Sequence, residues 1–264
     1  MEITNGTRVL LTGANGGIGS AIARALHAAG ATMVLTGRRA DALQPLADAI
    51  GARTVLADLA DRASWRRCMD EAGPIDALVA NAALPSSGPL MEFDADQIDR
   101  ALDVNLRAPI MMARTAVVGM LERRRGHIVF ISSISGKVAA PGTSLYSATK
   151  FGLRGFALGL REDLHGTGVG VTTIFPGFIR DAGMFADTKV TLPRGAGTRT
   201  PDQVATAVLR AIREDPAEIT VAAFEQAFGA LVAGISHPLV ASVQRMLGGA
   251  TIAKQIAAAQ AHKR

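Results

Sequence analysis

From residue 8 to about residue 222 the chain alternates between short runs of consecutive apolar residues and longer segments in which apolar positions recur every three or four residues. The short runs have strand length and little polar interruption, the mark of strands covered on both faces, and the longer segments have the period of helices lying on a sheet. Strands are predicted at Arg8–Thr12, Thr32–Thr36, Arg53–Ala57, Ala77–Ala80, His127–Ser132, Val169–Phe175 and Ile219–Ala222. Helices are predicted at Ile18–Ala29, Asp41–Ile50, Ser64–Glu71, Asp96–Glu122, Ser144–His165 and Pro201–Arg213. Parallel strands need right-handed crossovers, so the alternation folds into a doubly wound, three-layer α/β sandwich around a mostly parallel seven-stranded sheet.

Two segments depart from this alternation. Phe178 to Arg199 is the longest stretch without periodicity, broken by glycine and proline, and a connection of that length reads as a functional lid. After residue 222 the pattern turns into two alanine-rich helical segments, Phe224–Leu247 and Thr251–Ala261, read as an appendage or a partner surface.

Composition narrows the function classes. The lone Cys68 cannot form an internal disulfide and the five histidines show no ligand spacing, so neither thiol redox chemistry nor a metal site is expected. The N-terminal Met1-Glu2-Ile3-Thr4-Asn5-Gly6 has no basic flank or apolar signal core. The longest uncharged stretch, Gln226–Gln244, is broken by glycines, His237 and Pro238. A cytoplasmic protein without a transmembrane segment is therefore expected. The net charge of +5 comes from arginines on separate predicted helices without interleaved aromatics, which read as solvated faces and not as a nucleic-acid surface.

The chemistry starts where the first strand ends, in Thr12-Gly13-Ala14-Asn15-Gly16-Gly17-Ile18-Gly19. Glycines there let a phosphate approach backbone N–H groups at a helix N-terminus, and inside a strand–helix–strand unit they point to a dinucleotide and a Rossmann-like fold. At the end of the second strand a carboxylate would accept from a free ribose 2′-hydroxyl; this chain has Arg38 and Arg39 instead, whose guanidinium forks suit a 2′-phosphate. NADP is expected, with NAD the alternative. Asp58 and Leu59 follow the third strand, and the Asp58 carboxylate is placed either to accept from the adenine amino group or to cap the next helix, a cap for which Asp61 competes.

The single tyrosine, Tyr146, stands four residues before Lys150, one of only five lysines. On a helix the two share a face, about 5–6 Å apart at Cβ. A phenol titrates near 10, and an ammonium that stabilises the phenolate makes it an acid and base usable near neutrality; a shift of about 3 units takes about 4 kcal/mol.

Together these features resemble the short-chain dehydrogenase/reductase family over residues 7–222. The family's Thr-Gly-x-x-x-Gly-x-Gly falls on Thr12–Gly19, its Tyr-x-x-x-Lys on Tyr146 and Lys150, and its active-site serine on Ser133. Its central-helix asparagine falls on Asn105 and its Pro-Gly on Pro176 and Gly177. The resemblance implies a dinucleotide-binding catalytic domain over residues 1–222, lid 178–199 included, with 223–264 a helical C-terminal extension of it. It implies hydride transfer between nicotinamide and a carbonyl or alcohol carbon. Tyr146 would protonate the oxygen and Ser133 would hold it. Lys150 would bind the nicotinamide ribose and lower the tyrosine pKa, and Asn105 would hold a water that relays protons to Lys150. The implied cofactor contacts are Gly13, Asn15, Gly17, Ile18, Gly19, Arg38, Arg39, Asp58, Leu59, Asn81, Tyr146, Lys150, Pro176, Gly177 and Ile179.

Three departures from the family pattern bear on this. Ala80-Asn81-Ala82-Ala83 keeps the family's Asn81 but has Ala83 where glycine is usual. The glycine loop carries no basic residue, which leaves cofactor choice to Arg38 and Arg39. Ile179 stands near the place of a common threonine, so its backbone is expected to hold the carboxamide. The substrate pocket is expected from Leu84–Phe93, Ile134, Ala140–Leu145 and the lid residues Phe178, Met184 and Phe185; their apolar character points to a hydrophobic ketone, aldehyde or secondary alcohol. The alternatives are an NAD-dependent alcohol dehydrogenase and a non-catalytic NADP-binding sensor or scaffold. The helix bearing Tyr146 also presents Phe151, Phe156 and Leu160, and in this family that helix commonly packs against a second subunit, so a homo-oligomer, dimer or tetramer, is expected.

Overall fold

Nearly every residue of the apolar runs is buried, and the runs pair side by side in one sheet. The computed structural model describes residues 1–188, 190, 197–236, 238, 240–242 and 249–260. Its strands are β1 (Arg8–Thr12), β2 (Thr32–Gly37), β3 (Arg53–Leu56), β4 (Ala77–Ala80), β5 (Gly126–Ile131), β6 (Val169–Pro176) and β7 (Glu218–Val221). Its helices are α1 (Gly17–Ala28), α2 (Ala40–Ile50), α3 (Arg62–Ala72), α4 (Ala95–Leu102), α5 (Ala108–Glu122), α6 (Ser144–Asp163), α7 (Pro201–Glu214), α8 (Phe224–Ile235) and α9 (Gly249–Gln260).

The strand order is β3-β2-β1-β4-β5-β6-β7 and every pairing is parallel. The chain changes direction across the sheet between β1 and β4, which opens a crevice at the C-terminal ends of those strands. Side chains alternate across the sheet as the pleat requires. In β1, Val9 and Leu11 face a layer that holds Ile22 of α1 and Val208 of α7, while Leu10 faces Trp65 of α3, Met112 of α5 and Leu153 of α6. This is the doubly wound, three-layer α/β sandwich of the Rossmann type.

The predicted helix Asp96–Glu122 is not continuous. It divides into α4 and α5 around a π-type turn, Asp103–Arg107, in which the Ala108 N–H reaches back to the Asp103 carbonyl. Pro109 accounts for the break, since without an N–H it cannot donate to the carbonyl of Asn105 four residues back.

The tail is not an appendage. α8 lies against the turn Ile134–Gly136 and α9 against the turn Ala186–Thr188, both at the C-terminal edge of the sheet. The predicted helix Phe224–Leu247 is seen as α8 to Ile235; residues 237, 239 and 243–247 of it, residue 261 of the next helix, and residues 189 and 191–196 of the lid lie outside the described residues. On α6, Phe156 meets Phe130 edge-on with ring centres 5.8 Å apart and Leu160 packs on the same core, so of the three expected surface residues only Phe151 is exposed. Among the described residues no helix is long and apolar enough to cross a membrane.

At the opposite edge of the sheet His127 is buried, with Nε2 3.1 Å from Thr172 Oγ1 and Asp215 and Arg161 alongside. Burial pushes its imidazole down to about 4, outweighing the attraction of Asp215. An unfolded histidine titrates near 6.5, so the unfolded chain takes up the proton first. The stability contributed by neutral His127 is present above that value and is lost as the pH falls toward 4. Between neutrality and mild acid, near pH 4.5, the site removes about 2 kcal/mol. Urea titrations should show a loss over that interval smaller by this amount in His127→Gln; the same loss in both proteins would rule the linkage out.

Candidate active site

The turn after β1 is held from β4. Thr12 Oγ1 accepts from the N–H groups of Asn81 (3.0 Å) and Ala82 (2.9 Å), and Asn81 Nδ2 donates to the carbonyls of Thr12 (3.0 Å) and Gly13 (3.1 Å). Gly13 takes a φ of +65°, and a Cβ there would stand 2.8 Å from Ala82 Cα. At Gly19, in the first turn of α1, a Cβ would overlap the Gly13 carbonyl. No side chain caps α1 at Gly16, so its first N–H groups remain turned to the crevice, the arrangement that receives a phosphate. Ala83 manages without the left-handed backbone that would require glycine.

Asn15 reaches across to Gly37 at the end of β2, and beyond it Arg38 and Arg39 stand exposed on the rim. Facing them are Leu59 and Asp58. Asp61, not Asp58, caps α3, accepting from the N–H groups of Ala63 and Ser64. Asp58 instead accepts from the Ala60 N–H at 3.0 Å and pairs with Arg100 of α4 at 2.8 Å. Burial would raise its carboxyl, but the hydrogen bonds from Arg100 and Ala60 and the charges of Arg100 and Arg38 outweigh it and hold the group below the ordinary carboxylate value. Arg100 was not legible in advance, because an arginine on an amphipathic helix looks like any solvated one.

Ser133 leaves β5 in an extended conformation, and its Oγ accepts from the Ser135 N–H at 3.1 Å. Ser132 Oγ donates to the Lys150 carbonyl at 3.2 Å, and Gly136 lets the turn press against α6, where a Cβ would come within 2.8 Å of that carbonyl. Lys150 is 2% exposed; its Nζ donates to the Ile131 carbonyl at 3.1 Å and lies 5.7 Å from the centre of the Tyr146 ring. Burial pushes its ammonium down to about 8. Tyr146 is half-buried at the cleft, and the loss of water around its phenol pushes it up to about 12, opposed only in part by the Ser133 hydroxyl. The expected lowering by Lys150 is thus not found here; desolvation dominates, and the ammonium is engaged with the Ile131 carbonyl.

Asn105 sits buried in the π turn. Its Oδ1 accepts from the Leu84 N–H at 2.6 Å and its Nδ2 donates to the Leu84 carbonyl at 2.9 Å, so the side chain is spent on anchoring the segment after β4. One cleft of about 1630 Å3 brings together all the expected site residues except Asn105, which reaches it through its neighbour Val104.

The segment expected to form a lid is held at both ends. Gly177 donates to the Val221 carbonyl at 2.9 Å, and Ile179 bridges to Arg199 through bonds made by the Arg199 and Arg180 N–H groups, a pattern in which Ile179's own N–H and carbonyl take no part. Gln226 of α8 accepts from the Phe178 N–H (3.0 Å) and donates to the Gly197 carbonyl (2.7 Å), while Glu225 accepts from the Gly197 N–H (2.6 Å). Ala182 packs against Gly17, Phe185 tilts onto Phe178 with ring centres 4.6 Å apart, and Gln260 of α9 donates to the Met184 carbonyl at 3.0 Å. The expected wall Leu84–Phe93 reaches the cleft only through Leu84, Pro85 and Ser87; Leu90 and Met91 are exposed and Phe93 packs with Ala101 and Leu145.

Residues 7–191 match the family described as short chain dehydrogenase. The chain belongs to the short-chain dehydrogenase/reductase family. It is 35% identical over 230 residues to the ketoacyl reductase HetN of Nostoc sp., a match covering 84% of this chain and 80% of that one. It is 32% identical over 239 residues to the dehydrogenase/reductase SDR family member 7B of Bos taurus, covering 81% and 73%. Among solved structures, a putative betaketoacyl-ACP reductase superposes with a TM-score of 0.77 at 30% identity, covering 86% of this chain and 100% of that one. As a short-chain dehydrogenase/reductase the protein is an NAD(P)-dependent oxidoreductase acting on carbonyl and alcohol groups. Gly19→Ala should weaken the binding of NADPH and NADH alike by at least about tenfold in calorimetry, because the new methyl displaces the Gly13 carbonyl from the cradle; unchanged affinities would mean that the phosphates do not rest there.

Proposed function

We propose that this short-chain dehydrogenase/reductase is an NADP(H)-dependent reductase of hydrophobic ketones and aldehydes, able to oxidise the corresponding secondary alcohols. The observation that carries the reading is that Ser133, Tyr146 and Lys150 share one apolar cleft with a rim built of Arg38 and Arg39 in place of a carboxylate.

The residues present fit such a cofactor: glycines 13 and 19 cannot bear a Cβ, and the N–H groups of α1 are uncapped. Gly13, Asn15, Gly17, Ile18 and Gly19 would cradle the pyrophosphate, and Arg38 and Arg39 the 2′-phosphate. Asp58, Leu59 and Arg100 would border the adenine, with Asn81, Tyr146 and Lys150 at the nicotinamide ribose. Pro176, Gly177 and Ile179 would hold the carboxamide, for which Ile179 has its main-chain donor and acceptor. When bound, the dinucleotide supplies the hydride.

Ser133 Oγ and Tyr146 Oη hold the carbonyl oxygen, and Tyr146 donates its proton to it. A phenol held up at about 12 is protonated at neutral pH, which suits donation. Lys150, charged below about 8, stabilises the phenolate left behind. The water that returns the proton falls to the main chain of the turn at Asn105, where Pro109 leaves a carbonyl without its helical donor. Exposed Phe151 and Leu158 of α6, with Val118 and Leu121 of α5, supply the face on which we place the second subunit of a homo-oligomer.

Two measurements test this reading. Reduction of a panel of hydrophobic carbonyls, followed by NADPH absorbance, should fall about 10²–10⁴-fold in kcat for Tyr146→Phe with NADPH affinity retained. No turnover by the wild type, or full turnover by the variant, would refute the assignment. For cofactor choice, Arg38→Glu should raise KM for NADPH at least about tenfold while changing KM for NADH much less, since only the 2′-phosphate is lost as a partner; a wild-type preference for NADH would show the arginines to be mere rim.

A further inference from the structure

The residues beyond Ala222 line part of the cleft, and that part is its chamber. α8 lies on the turn that follows Ser133, and there Ile134, Val138, Ala230, Val232 and Val240 pack as a small apolar cluster of their own. Phe224, Phe228, Gly229 and Val232 on α8 and Ile256 on α9 border the same cavity as Ser133 and Tyr146. Phe224 and Phe228 stack with ring centres 5.9 Å apart and planes 15° from parallel, and they are 78% and 55% exposed. Leu231 and Ile235 continue that face at 68% and 87%. At the helical rise the four side chains make an apolar strip about 17 Å long, beginning in the cleft and ending at the surface.

Volume and charge say what the strip takes. A single ligand site measures about 300–1,000 Å3, so a cleft of about 1630 Å3 admits a second sizeable body beside a dinucleotide. The charged side chains bordering it divide by end: Arg38, Arg39, Asp58 and Arg100 stand at the adenine end. On the other side the described residues supply only buried Lys150 and Glu225, whose carboxylate holds the Gly197 N–H. Among the described residues that line it, an anionic group carried along α8 would meet the Glu225 carboxylate, on which the charge of Arg199 acts.

We infer that this chamber selects substrates with a long, unbranched, uncharged hydrocarbon arm, laid from Tyr146 along α8 toward Leu231 and Ile235. The inference rests on the carbonyl-reductase reading and names its substrate class: long-chain alkyl ketones and aldehydes, as against short polar carbonyls and anionic acyl thioesters. In the reaction the carbonyl carbon accepts a hydride from NADPH and the oxygen accepts a proton from Tyr146, giving the alcohol and NADP+.

Gly229 offers the test. It borders the chamber next to Phe228, and a Cβ built there meets nothing within 4 Å. Gly229→Leu therefore starts its side chain in open space at the chamber wall, and leucine is the better helix former. Wild-type kcat/KM for the series butan-2-one to dodecan-2-one should rise about threefold per added methylene until the strip is covered. In Gly229→Leu the ratio between the longest and shortest ketone should fall at least about tenfold. A flat wild-type series, an unaltered series in the variant, or a preference for 3-oxododecanoyl-CoA over tridecan-2-one would overturn the inference and leave the carbonyl-reductase reading standing. Should no carbonyl turn over, that reading fails instead, and the chamber is judged by the rise in Tm with the same ketones. A rise that grows with chain length in the wild type and not in Gly229→Leu supports it; a rise independent of length overturns it.

Discussion

A lysine ammonium that is 2% exposed must be given an oxygen, and the one Lys150 has is the carbonyl of Ile131, the last residue of β5. To deliver it, α6 has to cross the C-terminal end of the strand at close range. Ser132 bonds the Lys150 carbonyl, and Gly136 admits the turn where a side chain would not fit. Once that contact is made, the helical period places Tyr146 one turn back on the same face, and the chain leaving β5 places Ser133 beside it. The same turn then seats α8, so the placement of one cation carries through to the far wall of the cleft.

The sheet was legible because its strands are parallel and covered on both faces, which makes each of them a nearly unbroken apolar run. The glycine loop and the Tyr146–Lys150 pair were legible because both are local patterns: their residue types and spacing fall within eight residues of chain. What escaped depends on contacts between distant segments or on a missing hydrogen bond. Asp58 could be weighed as a cap or an adenine partner, but its pairing with Arg100 joins residues 42 apart. The break at Asn105 follows from the proline four residues later, a backbone effect that hydrophobic periodicity does not register. The tail was hardest, because an alanine-rich helix has the same composition whether it faces a partner, solvent or a cleft; its direction is shown by contacts across the chain, such as the bonds of Gln226 to Phe178 and Gly197, 48 and 29 residues away.

The tyrosine was expected to be drawn toward neutrality by its lysine, and burial moves it the other way. The two effects answer different needs. Desolvation keeps the phenol protonated, up at about 12, while the adjacent Lys150 remains an ammonium below about 8. In the mechanism we propose, the pair therefore waits as a neutral acid beside a cation, the state required just before a proton is given to a carbonyl oxygen. Stabilisation by the cation is worth most after transfer, when the charge has appeared on the phenolate, and interactions that strengthen only along the reaction are those that lower its barrier.

Lid and chamber wall are mechanically one unit. The amide of Gln226 holds Phe178 at one end of the lid and Gly197 at the other, and Glu225 adds a bond to Gly197. Each such bond contributes about 1 kcal/mol net. Both residues belong to the first turn of α8, the helix whose next two turns carry Phe228, Gly229 and Val232 along the chamber. Any ligand that steadies α8 therefore also steadies the two anchor points of the lid, and the lid in turn lays Ala182 over Gly17 of the phosphate cradle. The segment outside the family's common motifs thus grips the backbone at Phe178 and Gly197 from the first turn of α8.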